Sequence, residues 1–325
     1  MKIAKDTKER ERFMKKTEFF YPSADGIHRI HAVRWEPDGS VKAILLLAHG
    51  MAEYIDRYEV LADALTIEGI LVTGNDHLGH GQSINDLSER GYFADKDGNG
   101  CLLSDIEELR KLTVEQYPSV PVFLFGHSMG SFLARQYLAV FGDRLSGAVL
   151  AGTGHQSGAL MTVARALCRG IALGKGWKHR SAFVNGLAFG NYNEKFGEKG
   201  GFEWLSADPE IIRKYNEDPL CGFVFTLNGF YNMFTSIGLL SKESYLRNMP
   251  AELPVLLVSG TMDPVGDYGK GPSFVKDQFE RLGMKDVTLR MYPGARHELI
   301  NESVRETLFS DLSDWIRGRL EKTEE

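Results

Sequence analysis

The chain has 325 residues, of which 43% are hydrophobic and 25% are charged, and its formal net charge is −6. This length and composition exclude a disordered chain, a coiled coil and a collagen-like repeat, and they predict a globular protein of one or two domains. The mildly acidic charge, without a long cluster of Lys or Arg, argues against nucleic acid as a partner.

Short apolar runs that alternate with amphipathic stretches predict a mostly parallel sheet covered by helices on both faces. In chain order, the predicted strands are 17–21, 27–35, 43–48, 70–75, 122–125, 148–150, 255–259 and 287–292. The predicted helices are 57–67, 102–117, 132–140, 273–282 and 304–320. The first two strands are expected to form a hairpin.

The segment between the strands at 148–150 and 255–259 has a different pattern, rich in Gly and aromatic residues and without a clear strand. It is about a hundred residues long, and structureless loops of that length are rare in compact domains. We therefore interpret 155–246 as a helical insertion. The predicted domain organisation is an α/β core made of 1–154 and 247–325, with 155–246 inserted on the sheet.

The sequence GHSMG at 126–130 matches the pattern G-x-S-x-G around Ser128. The pattern alone is weak, but here a predicted strand precedes it and a predicted helix follows it, which is the setting that a nucleophilic serine requires. Glycines two residues before and after the serine would avoid steric collisions in such a sharp turn. The start of the helix would direct backbone N–H groups at the reacting centre.

A nucleophilic serine needs a base, and in this architecture the base is a histidine that comes last in the chain. The histidines after Ser128 are His155, His179 and His297. The first two fall in the insertion, whereas His297 follows the last predicted strand, at the edge where ligands gather in open α/β sheets. We therefore predict His297 as the base.

The acid that orients the base should follow the preceding strand, which is predicted at 255–259. Asp263 lies in the turn after that strand and is the preferred acid, and Pro264 would fix the turn. Asp267, four residues later, is the alternative. Asp263 could also act as an Asx-turn residue.

Two backbone N–H groups should bind the oxyanion that forms during acyl transfer. One is expected from Met129, directly after the nucleophile, and the other from Met51, in the loop after the strand at 43–48. Glu53 and Arg57 are expected to brace that loop without a catalytic role.

A second polar cluster, at 76–83, contains Asp76, His77 and His80 and could suggest metal ligands. A metal site needs further ligands and supporting contacts. The preferred interpretation is a turn whose side chains bond to the backbone, so no metal is expected. His127 is expected to pack beneath the nucleophile.

Together these motifs resemble the α/β-hydrolase fold and, within it, the monoacylglycerol lipase and lysophospholipase-like serine hydrolases. The resemblance covers about residues 15 to 320 and rests on HGMAE at 49–53, DHLGHGQS at 76–83, GHSMG at 126–130, GTMDPV at 260–265 and GARHE at 294–298. It implies a triad of Ser128, Asp263 and His297 and an oxyanion hole at Met51 and Met129. It also implies a helical cap over the site, fatty-acid esters as substrates and no cofactor.

Other functions remain open. A short-chain carboxylesterase would use the same triad, as would an aminopeptidase or amidase, although the HGGPG loop of related peptidases is absent at 49–53. Glu194, Glu198 and Glu203 of the insertion could bind a free amino terminus. A non-catalytic binding module is disfavoured because every triad position is filled.

The insertion carries two apolar segments: a stripe at helical spacing (Leu160, Val163, Leu167 and Ile171) and an aromatic stretch at 223–234. These residues could line an acyl pocket, form the cap's own core, or do both. A third interpretation is an exposed apolar face in transient contact with a membrane, although we identify no strong basic face. Gly197, Gly200 and Gly201 could be hinges or only turns.

No apolar run approaches the roughly 18 residues that a bilayer-spanning helix needs. The charged segment 1–16 lacks the apolar core of a secretion signal. Three widely spaced cysteines predict reduced, mostly buried thiols in a cytoplasmic protein. The sequence leaves the oligomeric state open.

Overall fold

The computed structural model describes residues 14–197 and 201–321. Its eight strands form one sheet in the order β1-β2-β4-β3-β5-β6-β7-β8. The strands are β1 (Met14–Pro22), β2 (Arg29–Pro37), β3 (Ala43–Ala48), β4 (Ile70–Asn75), β5 (Val122–His127), β6 (Gly147–Ala151), β7 (Val255–Gly260) and β8 (Val287–Tyr292). Strands β3 to β8 run parallel, and the β1–β2 hairpin joins β4 antiparallel. The predicted mostly parallel sheet is confirmed.

The helices of the described residues cover both faces of this sheet. They are α1 (Glu59–Thr66), α2 (Gly98–Gln116), α3 (Met129–Phe141), α4 (Gly158–Lys175), α5 (Ala182–Phe189), α6 (Pro209–Glu217), α7 (Leu227–Leu240), α8 (Glu243–Leu246), α9 (Lys270–Arg281) and α10 (Arg305–Leu320). Apolar residues of α2, α3, α7 and α9 share one core with the sheet, and those of α1 and α10 share the other. Strands β3 to β7 are buried along their whole length, so polar groups can meet only at their ends.

Several predicted element boundaries are wrong, and local capping explains two of them. Helix α2 begins at Gly98 and not at 102, because the Asp97 carboxylate accepts a hydrogen bond from the Gly100 N–H and caps the helix there. Strand β2 begins at Arg29 and not at 27, because the Asp25 carboxylate accepts from the Ile27 N–H and holds the turn.

The described part of 155–246 contains helices α4 to α8 and no strand. Within the described residues, no helix is long and apolar enough to cross a membrane. The three cysteines are unpaired and buried, as predicted: Cys101, Cys168 and Cys221. The cytoplasmic location stays a prediction.

Three buried histidines lie together at the carboxyl ends of β3 and β4. The ring centroid of His49 lies 4.1 Å from that of His77 and 5.1 Å from that of His80. Burial and the neighbouring histidines lower the pKa of His49 to about 4 and that of His80 to about 3, and they lower the pKa of His77 well below its ordinary value. All three are therefore neutral in the folded protein near neutral pH.

We expect the free energy of unfolding to decrease when the pH is lowered from 6 to 5. Below about pH 6.5 these histidines become protonated in the unfolded chain but stay neutral in the folded protein. Their contribution to the free energy of unfolding is therefore fully present above about pH 6.5 and is lost progressively as the pH falls below it. Each histidine contributes roughly 1 kcal/mol over this interval. Asp105, whose pKa burial raises to about 6, opposes the change by a similar amount. The net decrease, about 2 to 3 kcal/mol, can be measured by urea unfolding at the two pH values.

His80→Gln tests the assignment to these histidines. Glutamine keeps an acceptor but cannot be protonated. The number of protons that the chain takes up on unfolding between pH 6 and pH 5 should therefore fall by about one, and the free energy of unfolding should depend less on pH. A free energy of unfolding that is the same at pH 6 and pH 5 in the wild type would mean that the histidines are already protonated in the folded state.

Candidate active site

Ser128 lies at the sharp turn between β5 and α3, in the strand–turn–helix setting that the sequence predicted. It has φ 52° and ψ −118°, a strained conformation for a residue with a side chain. Close packing explains the flanking glycines. A Cβ on Gly130 would lie 2.0 Å from the Ala48 carbonyl oxygen, and one on Gly126 would lie 2.4 Å from the Gly130 oxygen.

His297 follows β8, Asp263 follows β7, and the two side chains meet at the same edge of the sheet. His297 Nδ1 lies 3.0 Å from each carboxylate oxygen of Asp263, and the two residues are 1% and 0% exposed. Asp263 also accepts from the Val265 N–H, at 2.9 Å. The carboxylate therefore holds the ring proton on Nδ1 and leaves Nε2 as the basic nitrogen.

His297 Nε2 is buried and has no hydrogen-bond partner among the described residues. It is therefore available to accept a proton. The imidazole ring lies against Gly152, where a Cβ would come within 2.9 Å of His297 Cε1. Gly152 also has φ +59°, so both space and backbone require glycine at this position.

Asp267, the alternative acid, lies away from the histidine. It is exposed, has φ 45°, and forms an ion pair with Lys270 at 3.1 Å. Of the two predicted acids, the structure brings only Asp263 to His297.

The loop after β3 lies against Ser128 and contains the predicted oxyanion donor. A Cβ on Gly50 would lie 3.2 Å from Ser128 Cβ. The Gly50 N–H donates to the Glu53 carboxylate, and the Ala52 N–H donates to His80 Nε2 at 3.2 Å. The Met51 N–H has no acceptor among the described residues, so it is available to a ligand.

A buried charged network braces this loop. The Arg57 guanidinium pairs with Glu53 at 2.6 Å and with Glu298 at 2.7 Å, and His127 Nδ1 lies 3.2 Å from Glu53. Burial opposes ionisation of Glu53, but His127 and Arg57 hold its pKa well below the usual range. Burial likewise opposes protonation of His127, but Glu53 raises its pKa overall. The predicted bracing by Glu53 and Arg57 is confirmed, and Glu298 is a partner that no local pattern could indicate.

The cluster at 76–83 has structural contacts. Asp76 accepts from His31 Nδ1 at 2.9 Å and from the Ile55 and Gln82 N–H groups. The His77 N–H donates to His49 Nε2. Over residues 14–197 and 201–321, no group of three or more His, Cys, Asp or Glu side chains is placed to hold a metal ion.

A cavity of about 970 Å³ joins Ser128 and His297 to the helices of the insertion. From the first predicted stripe, Leu160, Val163 and Leu167 line the cavity, whereas Ile171 packs against the core. The aromatic stretch divides in the same way. Phe223, Val224, Met233 and Phe234 line the cavity, but Phe225 and Phe230 are core residues. Met233 and Phe234 also belong to the buried core, and Leu167, Phe223 and Val224 pack against it, so these residues do both.

Of the acids proposed for an amino-terminus pocket, the two that the structure describes, Glu194 and Glu203, do not line the cavity. Among the described residues, the acidic side chains that line the cavity are Glu53 and Glu298, which pair with Arg57. Glu198 lies outside the described residues, as does Gly200.

Sequence reasoning missed an aromatic contact from the insertion. The ring centroid of Trp204 lies 5.0 Å from that of His297, and Tyr192 packs against Trp204 at 5.1 Å. The backbone of this segment is also tied to the histidine loop, since the Glu298 N–H donates to the Leu205 oxygen at 2.7 Å. No periodic pattern marks these residues.

Comparison with known proteins finds similar chains among hydrolases. A family model described as "Serine aminopeptidase, S33" matches residues 39–304. A monoacylglycerol lipase of Mycolicibacterium smegmatis is 27% identical over 94% of this chain and 98% of its own length. A monoglyceride lipase of Rattus norvegicus is 29% identical over 88% of this chain and 86% of its own. A thermostable carboxyl esterase of Bacillus coagulans, solved with glycerol, superposes with a TM-score of 0.88 at 28% identity, covering 94% of this chain and 99% of the esterase.

Proposed function

The chain belongs to the serine aminopeptidase S33 family and has the α/β-hydrolase fold, and from this premise we propose that it hydrolyses acyl esters with Ser128 as nucleophile, His297 as base and Asp263 as orienting acid. The observation that carries the proposal is the His297–Asp263 pair. It leaves Nε2 unpartnered in the cavity that Ser128 also lines.

The proposed reaction has two steps. Ser128 Oγ attacks the ester carbonyl while His297 Nε2 takes its proton, and the Met51 and Met129 N–H groups stabilise the oxyanion. His297 then protonates the leaving alcohol. Water, activated by the same histidine, hydrolyses the acyl-enzyme. Asp263 stabilises the protonated imidazole throughout.

We assign the substrate to monoacylglycerol or lysophospholipid-type lipids, with residues 155–246 acting as a cap over the site. The support is the apolar wall that α4 and α7 give the cavity, together with the relatives that are monoacylglycerol and monoglyceride lipases. Each methylene that such a wall buries contributes about 0.8 kcal/mol. A peptide substrate is less well supported, since Glu194 and Glu203 do not line the cavity.

The test is kcat/KM on p-nitrophenyl esters from acetyl to myristoyl. We expect a rise with chain length of up to about fourfold per buried methylene. Leu167→Ala, which removes part of the wall, should weaken the preference for long chains. Leu173→Ala, on the same helix but at a residue that is 91% exposed, should not. A maximum at acetyl or butyryl would indicate a short-chain carboxylesterase, and turnover of amino-acyl amides alone would indicate a peptidase.

The exposed surface of α4, α5 and the segment between them is proposed to contact lipid surfaces transiently. The segment 155–193 contains no Asp or Glu but has five cationic residues: Arg165, Arg169, Lys175, Lys178 and Arg180. Large apolar side chains of the same segment are exposed, among them Leu173 and Phe183. Apolar residues combined with positive charge favour an anionic membrane surface.

A second arm of the kinetic experiment tests this contact. Monoacylglycerol should be hydrolysed faster in phosphatidylglycerol vesicles than in phosphatidylcholine vesicles. Phe183→Ser should reduce that difference and leave hydrolysis of a soluble p-nitrophenyl ester unchanged. Equal rates in the two kinds of vesicle would rule out the charge-assisted contact.

A further inference from the structure

The turn at 50–53, which carries the Met51 N–H, contains a strained residue. Ala52 has φ 52°, in the left-handed region that residues with a side chain rarely adopt. Such a conformation persists only where surrounding contacts hold it. If Ala52 relaxed, the neighbouring peptide groups would rotate, and the direction of the Met51 N–H would change with them.

The contacts that hold Ala52 come from two parts of the chain. From the core, His80 Nε2 accepts a hydrogen bond from the Ala52 N–H at 3.2 Å. From the insertion, the Tyr215 hydroxyl and the Gly222 N–H both donate to the Ala52 carbonyl oxygen, each at 3.0 Å. The insertion therefore reaches the turn opposite the nucleophile as well as the acyl cavity.

Tyr215 is itself fixed in place. It is buried on α6, with its ring 5.0 Å from that of Phe202 and 4.9 Å from the Arg57 guanidinium carbon. Arg57 is in turn held by Glu53 and Glu298. Because the Tyr215 ring packs against both the Phe202 ring and the Arg57 guanidinium, the position of its hydroxyl is fixed.

We propose that Tyr215 is a positioning residue, whose hydroxyl, by holding the Ala52 carbonyl, keeps the 50–53 turn in the conformation that aims the Met51 N–H at the developing oxyanion. This inference rests on the proposed function. A donor stabilises a transition state only when it is already oriented. A small rotation of the Gly50–Met51 peptide group, which carries the Met51 N–H, would therefore weaken stabilisation of the oxyanion. The contacts of the insertion with the 50–53 turn would therefore affect the rate of the chemical step, in addition to the effect of the insertion on substrate choice.

The experiment is Tyr215→Phe, which keeps the ring packing and removes only the hydroxyl. We expect kcat to fall about tenfold with KM unchanged, less than the loss on removing an oxyanion donor itself. The loss should be the same for a p-nitrophenyl ester and for a glycerol ester of the same acyl chain. The rate of inactivation by a fluorophosphonate should fall in parallel, because that reaction also builds negative charge on oxygen.

Tyr54→Phe is the matched control. The Tyr54 hydroxyl donates to Asp218 at 2.8 Å, which is another hydrogen bond between this region and the insertion, but it does not touch Ala52. We expect the activity of this variant to equal that of the wild type.

An unchanged kcat in Tyr215→Phe would overturn the inference, and so would an equal loss in Tyr54→Phe. A loss confined to KM for the glycerol ester would also overturn it, because it would make Tyr215 a substrate contact, which its place at the cavity allows. Failure of the proposed function has a different signature. The wild type would then hydrolyse neither ester, while fluorophosphonate inactivation would still be slower in Tyr215→Phe.

Discussion

Replacing Ser128 by alanine is expected to lower kcat for acyl esters by at least about 10⁴-fold. Without the hydroxyl no acyl-enzyme can form, and only the weak catalysis provided by the oxyanion donors and by binding remains. The turn should persist, because alanine keeps the Cβ and the surrounding glycine contacts are unchanged. We therefore expect the free energy of unfolding to change by less than about 0.5 kcal/mol. The measurement is kcat on a p-nitrophenyl ester together with urea unfolding of both proteins.

Ser131→Ala is the control for this experiment. Ser131 lies one helical turn further along α3, and its hydroxyl donates to the Ser128 backbone carbonyl oxygen at 2.6 Å, so it belongs to the same turn but makes no contact with the reacting side chains. Its loss should leave kcat within a few-fold of the wild type. A fluorophosphonate should label the wild type and Ser131→Ala but not Ser128→Ala. Ester hydrolysis at the wild-type rate in Ser128→Ala would refute the proposed mechanism.

The central strands could be predicted from sequence because burial on both faces leaves a local signal. Ala43–Ala48 and the first four residues of Val255–Gly260 are continuous apolar runs, and the loop after each strand carries a residue of the proposed site, Met51 and Asp263. Element starts were less predictable. The cap of α2 depends on Asp97 in the left-handed region, a position that favours glycine and that sequence periodicity does not indicate.

The residues of the candidate site also differ in whether a local sequence signal marks them. The proposed triad residues Ser128, Asp263 and His297 each follow a strand, so chain order and strand ends allow them to be proposed from sequence. Glu298 could not be assigned to Arg57, because 241 residues separate the two. Trp204 and Tyr215 lie in the insertion, where each aromatic residue is compatible with core, cavity or surface until the three-dimensional contacts are known.

The choice between the two acids is tested by Asp263→Asn, which should lower kcat by about 10⁴-fold. Asparagine has the same shape, but its amide can donate a hydrogen bond to Nδ1. The histidine would then carry its proton on Nε2 and could no longer accept one from Ser128.

Asp267→Asn is the matched control for that substitution, since Asp267 is exposed, pairs with Lys270 and does not reach the histidine. Its kcat should stay within about twofold of the wild type, as is usual for a surface change. The reverse result, with Asp267→Asn inactive and Asp263→Asn active, would require the 260–268 turn to rearrange during catalysis. Asp263 accepts from the Val265 N–H inside that turn, so such a rearrangement would have to break this bond and expose a carboxylate that is now fully buried. We therefore assign the proposed orienting role to Asp263, whose contacts with His297 and with the Val265 N–H are already in place without substrate.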